Sequence, residues 1–244
     1  MQAYISALIP RQEGTGMCLY ILFSGCGFNC PSCNSPNLLE NLQEHSVDLK
    51  DIKKEIQSQA NFLKKVIFTG GEPTLQRLAL LDLAKFCKSL NLQICIDTNG
   101  AKPETISALI KEDLLNGISL DIKAPFQEDI FEKATKSKTF FIQPTQILDD
   151  IKRTLQVITQ NQEKIDIEIT TLVTPGILYR KEDLIAIGEQ IKDLRCTWII
   201  KKFDNTDVKD KRFQGIEPPS AGFMNDLLEA LQKEFPELPI ELKD

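Results

Sequence analysis

Short apolar runs alternate with longer segments of helical spacing along almost the whole chain. Residues 1–10 (MQAYISALIP) read as a strand. Residues 18–24 (CLYILFS) form a continuous apolar run of the kind a strand covered on both faces needs. Helical spacing follows over 49–63, with Asp48 placed as its N-cap. A strand is predicted at 65–69, then a helix at 76–90 with Leu78, Leu81, Leu83, Ala84 and Cys87 as its apolar positions. Next come a strand at 93–96, a helix at 103–111 and a strand at 117–122. A helix over 146–160, a strand over 165–173, a helix over 181–193, a strand over 196–202 and a helix over 221–235 complete the series.

The βα unit thus occurs about six times, which predicts parallel strands joined by helical crossovers. No low-complexity linker or composition shift interrupts the chain, so residues 1–244 are expected to form one domain of the α/β class. The pattern leaves an open doubly wound sheet and a barrel or partial barrel as alternatives. Two connections, 25–47 and 123–145, are longer than minimal βα turns, and such connections are usually functional or mobile. The second carries Lys123, Lys133, Lys136 and Lys138 beside Phe126, Phe131, Phe140 and Phe141. It is expected to dock a partner; the competing expectation is that its Phe residues cap the barrel end as core.

Composition narrows the class. With 42% hydrophobic and 26% charged residues, general disorder is excluded. A formal charge of −6 argues against a nucleic-acid partner bound through bulk positive charge. No apolar run approaches the roughly 18 residues of a membrane span, and no signal peptide is apparent, so no membrane partner and a cytoplasmic location are expected. His45 is the sole histidine, which excludes two-His metal sites and requires any Ser-His-Asp triad to use His45. The cysteine count of seven is odd, against a disulfide framework.

Three of those cysteines cluster in Gly25-Cys26-Gly27-Phe28-Asn29-Cys30-Pro31-Ser32-Cys33. Thiolates are soft ligands suited to zinc or iron–sulfur clusters. Three ligands on a four-iron cluster leave one iron open for chemistry. The competing reading is a Cys₃His zinc module completed by His45. Cys18, Cys87, Cys95 and Cys196 sit inside apolar patterns and read as small core residues.

Three further motifs end strands. Thr69-Gly70-Gly71-Glu72-Pro73 lets a ligand approach the backbone closely, and Glu72 offers an acceptor for an amine. Asp97-Thr98-Asn99-Gly100 and Asp121-Ile122-Lys123 are each weak alone. All four motifs follow the carboxyl ends of successive parallel strands, the edge where α/β folds bind ligands.

With these motifs, continued by Ala124-Pro125, the sequence resembles the radical S-adenosylmethionine (radical SAM) enzymes from about residue 18 to residue 205. Within them it is most similar to the glycyl-radical-enzyme activating enzymes, particularly the anaerobic ribonucleoside-triphosphate reductase activating proteins. The resemblance implies a partial (β/α)₆ TIM-like barrel. It implies that Cys26, Cys30 and Cys33 ligate a 4Fe–4S cluster whose fourth iron is chelated by SAM. Gly70, Gly71 and Glu72 would hold the SAM amino group. Asp97, Thr98 and Asn99 would lie by its ribose and carboxylate, with Lys123 facing that carboxylate. Asp97, Thr98 and Asp121 would supply the monovalent cation present in some members.

The implied activity is reductive cleavage of SAM to a 5′-deoxyadenosyl radical that takes hydrogen from a backbone glycine of a partner reductase. Reduced flavodoxin or ferredoxin would donate the electron, and no protein side chain need act as a general base. The sequence departs from the pattern at Ser32, where an aromatic residue is usual, and at Asn34 and Ser35, where His and Asn are common. A second reading is a small-molecule radical SAM enzyme of the 7-carboxy-7-deazaguanine synthase type, whose Gln-Gly-Glu-Gly segment is partly echoed by Gln12-Glu13-Gly14.

Overall fold

Nine strands join in a single sheet in the computed structural model, which describes residues 1–40 and 43–243. They are β1 (Gln2–Glu13), β2 (Gly16–Phe23), β3 (Ser46–Asp48), β4 (Leu63–Gly70), β5 (Gln93–Thr98), β6 (Gly117–Asp121), β7 (Asp166–Val173), β8 (Thr197–Lys202) and β9 (Ile240–Lys243). Their order is β3-β1-β2-β4-β5-β6-β7-β8-β9. From β2 to β9 every neighbouring pair is parallel; β1 runs antiparallel to both β2 and β3. The expected six parallel strands are β2 and β4 to β8. The short outer strands β3 and β9 and a helix within 123–145 carry too few apolar positions to be found from periodicity.

The helices are α1 (Leu49–Gln59), α2 (Arg77–Ser89), α3 (Pro103–Lys111), α4 (Glu128–Thr135), α5 (Pro144–Thr159), α6 (Lys181–Ile191), α7 (Lys211–Gln214) and α8 (Ala221–Glu234). Asp48 caps α1 as expected, its carboxylate accepting the Lys50 amide at 3.0 Å. The helix stops at Gln59 rather than residue 63, because Leu63 is the first buried residue of β4. Proline stands in the first turn of α3 and of α5, where its missing N–H costs nothing. In α2 the buried face is Ala79, Leu80, Leu83, Ala84 and Cys87. Leu78, expected on that face, is 72% exposed.

The central strands alternate more strictly than the sequence reading supposed. Ile94 and Ile96, Ile118 and Leu120, and Ile167 and Ile169 are buried on the outer face of the sheet against the helices. The residues that alternate with them turn inward, Cys95 and the polar Asp97, Ser119 and Glu168 among them: Asp97 lies in register with Ser119, and Ser119 with Glu168. The Ser119 hydroxyl donates to Glu168 at 3.2 Å, and Lys243 reaches the other oxygen of that carboxylate at 3.2 Å. This polar inner face encloses a cavity of about 1160 Å³, lined from Cys26, Gly70 and Asp121 down to Lys65, Gln93 and Asn116. Among the described residues no helix is long and apolar enough to cross a membrane.

Candidate functional site

The cysteine segment has no ladder of its own beyond Phe23, so its backbone groups find partners elsewhere. The amides of Gly25 and Cys26 donate to the carbonyls of Leu38 at 2.8 Å and Leu39 at 3.1 Å. The Asn29 amide donates to the Thr135 carbonyl at the end of α4 at 2.8 Å. From the far end of the chain, the Lys209 amide donates to the Cys33 carbonyl at 2.9 Å. Phe28 packs edge-to-face on Phe131, centroids 5.7 Å apart.

Cys26, Cys30 and Cys33 all line the carboxyl mouth of the cavity. Burial pushes the Cys26 thiol up to about 11 and the Cys30 thiol to about 12. The three share one loop at that mouth. Yet among the described residues no three Cys, His, Asp or Glu side chains converge on a point where one metal ion would sit. That does not suit the Cys₃His zinc reading. His45 instead places Nδ1 2.6 Å from the hydroxyl of Ser24, a fully buried residue that is out of reach as a nucleophile. Neighbouring but non-convergent thiols fit a body of several irons, which spreads its ligands.

The glycine pair is pressed onto this loop. Gly70 has φ +110°, and a Cβ there would lie 2.5 Å from the Phe23 carbonyl oxygen. A Cβ on Gly71 would lie 2.4 Å from the Gly25 carbonyl oxygen. The amides of Gly71 and Glu72 donate to the carbonyls of Phe23 and Gly25, each at 2.8 Å.

The Glu72 side chain does not offer the free acceptor that was expected. It is 2% exposed. Its Oε1 accepts the Thr74 amide at 3.1 Å, the Thr74 hydroxyl, and the Thr98 hydroxyl at 2.8 Å. Its Oε2 accepts the Asn99 amide at 2.8 Å. Four donors from the protein thus engage the carboxylate, three on Oε1 and one on Oε2. Burial pushes Glu72 above the usual carboxylate range, and these donors oppose the shift.

Asp97, Thr98, Asn99, Asp121 and Lys123 all border the same cavity. Lys123 stands 2.5 Å from the Asp121 carboxylate. Burial acts against its charge, but Asp121 and the adjoining Cys30 and Cys26 hold its pKa above the ordinary lysine value. The Thr98 hydroxyl is engaged with Glu72, and Asn99 Oδ1 closes a turn by accepting the Ala101 amide at 3.0 Å. Of the three side chains expected around a cation, Thr98 is engaged with Glu72 and Asp121 has Lys123 as its counter-charge. Burial pushes Asp97 up to about 6; the Thr69 hydroxyl and Lys201 favour its charged form, and Glu168 and Asp121 oppose it.

The inward Ser119, Glu168, Thr170 and Lys201 were not singled out in the sequence, although polar residues at alternate positions of β7 were the available signal. Cys95, expected in the core, lines the cavity; Cys18, Cys87 and Cys196 are buried. Gln12-Glu13-Gly14 lies in the β1–β2 hairpin at the opposite end of the barrel. There Glu13 accepts from the Tyr20 hydroxyl and, at 3.3 Å, from the Cys18 thiol.

Comparison with known proteins agrees with this geometry. A protein of Methanocaldococcus jannaschii, provisionally described as a glycyl-radical enzyme activating enzyme, is 27% identical over 236 residues, 93% of this chain and 91% of that one. The pyruvate formate-lyase-activating enzyme of Clostridium pasteurianum is 25% identical over 188 residues, 75% of this chain and 73% of that one. A radical SAM methyltransferase from Sphaerobacter thermophilus superposes with a TM-score of 0.74 at 12% identity, covering 97% of this chain and 68% of that one, a likeness of fold. The Radical SAM superfamily profile matches residues 20–187. With more than half its length so matched, and its cysteine loop at the carboxyl mouth of a partial TIM-like barrel, the chain belongs to the radical SAM superfamily and is an enzyme of that kind.

Proposed function

We propose that this enzyme installs a glycyl radical on a partner protein, an anaerobic ribonucleoside-triphosphate reductase being the partner the motifs resemble most. The observation that carries the reading is the likeness, across 93% of the chain, to a relative described as a glycyl-radical enzyme activating enzyme. When bound, the 4Fe–4S cluster and SAM supply one-electron cleavage of the sulfonium and a carbon radical that takes hydrogen from glycine. The residues of this chain orient and enclose. Cys26, Cys30 and Cys33 hold the cluster. Gly70 and Gly71 bring backbone to the amino group of SAM, with Glu72 bracing them from behind. Asp97 and Asn99 face its ribose, and Lys123 its carboxylate. Lys123 also neutralises Asp121, so a monovalent cation is a minor element of the reading. The polar lumen receives the glycine segment, and reduced flavodoxin or ferredoxin supplies the electron, in an anaerobic cytoplasm.

The deazaguanine alternative loses its one sequence echo, since Glu13 is bound into the hairpin at the far end. The test is anaerobic incubation of the reconstituted enzyme with SAM, dithionite and each glycyl-radical protein encoded near its gene. 5′-Deoxyadenosine and an electron paramagnetic resonance doublet on the partner are expected. SAM cleavage with no doublet on any of them overturns the activating role.

A further inference from the structure

The cysteine loop follows β2, and the turns after β4, β5 and β6 carry the residues assigned to SAM. None of them occupies the next stretch of inner wall, β7 to β9. That stretch presents Glu168, Thr170, Leu172, Lys201 and Lys243 to the same cavity. Trp198 and Ile200 are fully buried on the outer face of β8, so Lys201, which alternates with them, faces the lumen near the carboxyl end of the strand.

From its middle to its carboxyl mouth the cavity is bordered by Asp97, Asp121 and Glu168 and by Lys123, Lys201 and Lys243. Two pairs form among them. Lys123 stands 2.5 Å from Asp121, and Lys243 stands 3.2 Å from Glu168. Asp97 and Lys201 are left over. Lys201 favours the charge of Asp97 only from beyond ion-pair distance. Among the described residues no carboxylate lies within ion-pair distance of Lys201. On the parallel pair β8–β9 it lies in register with Lys243, and both border the lumen. Like charges abreast on one face of a sheet repel. Glu168 relieves Lys243; Lys201 is half-buried and has no such partner. A charge so withdrawn from water calls for a counter-charge.

We infer that Lys201 anchors a carboxylate which the substrate carries close to the carbon that gives up hydrogen, and so helps decide which substrate the enzyme accepts. The inference rests on the proposed function only for the placing of SAM on the turns after β4, β5 and β6, which leaves this wall to the substrate. The carboxylate accepts a charge-assisted hydrogen bond from the Lys201 ammonium and supplies the missing counter-charge. An amide in its place is a weaker acceptor and leaves the ammonium uncompensated, so the wall rejects it. In a protein substrate the carboxylate is an Asp or Glu side chain near the reacting glycine; in a small substrate it is the molecule's own acid group.

The probes are fluorescein-labelled peptides with a central glycine and an Asp close to it, and the same peptides with Asn. Fluorescence anisotropy reads their binding to the reconstituted enzyme in the presence of SAM. At least one Asp peptide should bind about tenfold more tightly than its Asn form. Lys201→Met should bring that ratio to within about twofold, and Lys201→Arg should keep most of it. Lys201→Gln should behave as Lys201→Met does, and it decides the matter if the latter impairs folding. Asp and Asn peptides bound alike by the parent enzyme overturn the inference and leave the activating role standing. A preference that survives the neutral variants overturns it too. So does a loss of SAM affinity of the same size in those variants by isothermal titration, which assigns the lysine to SAM. If no peptide binds, the activating role falls, and small carboxylic acids are set against their amides in the same assay. A preference for the acid that is lost in Lys201→Met then upholds the anchor, and the absence of one overturns it.

Discussion

The backbone amide of Asn99 donates to the Glu72 carboxylate across 2.8 Å, tying the turn after β5 to the turn after β4. Both turns border the site, so Glu72 is a brace whose removal should loosen both. Glu72→Gln replaces one accepting oxygen with a donor that faces other donors. A loss of about 3 kcal/mol is expected, from a charge-assisted bond and a group left unpaired. Urea unfolding measures it; wild-type stability would contradict the brace.

Asp97 gives stability a sign with pH. Its ordinary value of 3.8 rises to about 6 in the folded chain. The fold favours the protonated form, so this stabilisation is full below pH 3.8 and is lost as pH rises through 6. A shift of that size corresponds to at most about 3 kcal/mol. Without SAM, Asp97→Asn should gain on the wild type between pH 3.5 and pH 8 by up to that amount. Parallel pH–stability curves for the two proteins would refute it.

Iron should follow three cysteines and ignore the rest. Cys26→Ala/Cys30→Ala/Cys33→Ala should hold no cluster after anaerobic reconstitution. Cys95→Ala, though it borders the cavity, should hold a full complement of iron and sulfide.

Lys123 and Asp121 form one unit at 2.5 Å. Lys123→Met and Asp121→Asn should each weaken SAM binding, and the double variant should lose less than their sum. A coupling of about 1–3 kcal/mol is expected for a pair in contact. Strict additivity by isothermal titration would mean that the two act separately.

Phe140 and Phe141 are 91% and 85% exposed, on a turn closed by the Thr139 amide donating to the Ile142 carbonyl at 3.0 Å. Phe131 of the same connection is buried against Phe28, so that ring serves as core, as the competing expectation for residues 123–145 had it. Phe140→Ser/Phe141→Ser should change stability by no more than about 0.5 kcal/mol. SAM cleavage should stay intact and the radical yield on the partner should fall. An unchanged yield would remove the tip from the docking surface.

The parts legible in the sequence were those with a local signal. Cys26, Cys30 and Cys33 declare themselves by spacing, and the runs in β2 and β8 by apolarity. What depended on distant pairing was hidden. Glu72 read as a ligand because its four donors come from Thr74, Thr98 and Asn99, and only folding brings the last two to it. Lys209, whose ammonium donates to Asn29 Oδ1, lies 180 positions from it, and no periodicity links them. Leu78 matched the spacing of α2, yet it is exposed, because spacing alone does not say how far a helix's covered face extends.

The hold of Lys209 on the cysteine loop also sets an order in time. Asn29 leaves the ribosome 180 residues ahead of its partner. At ordinary rates of synthesis that is a delay of about ten to forty seconds. During it the loop that would receive iron lacks the clamp that shapes its outer side. Maturation of the enzyme is therefore a task for a chain that has been made past Lys209, and a nascent chain stalled before residue 205 would present its three thiols unshaped to whatever delivers the metal.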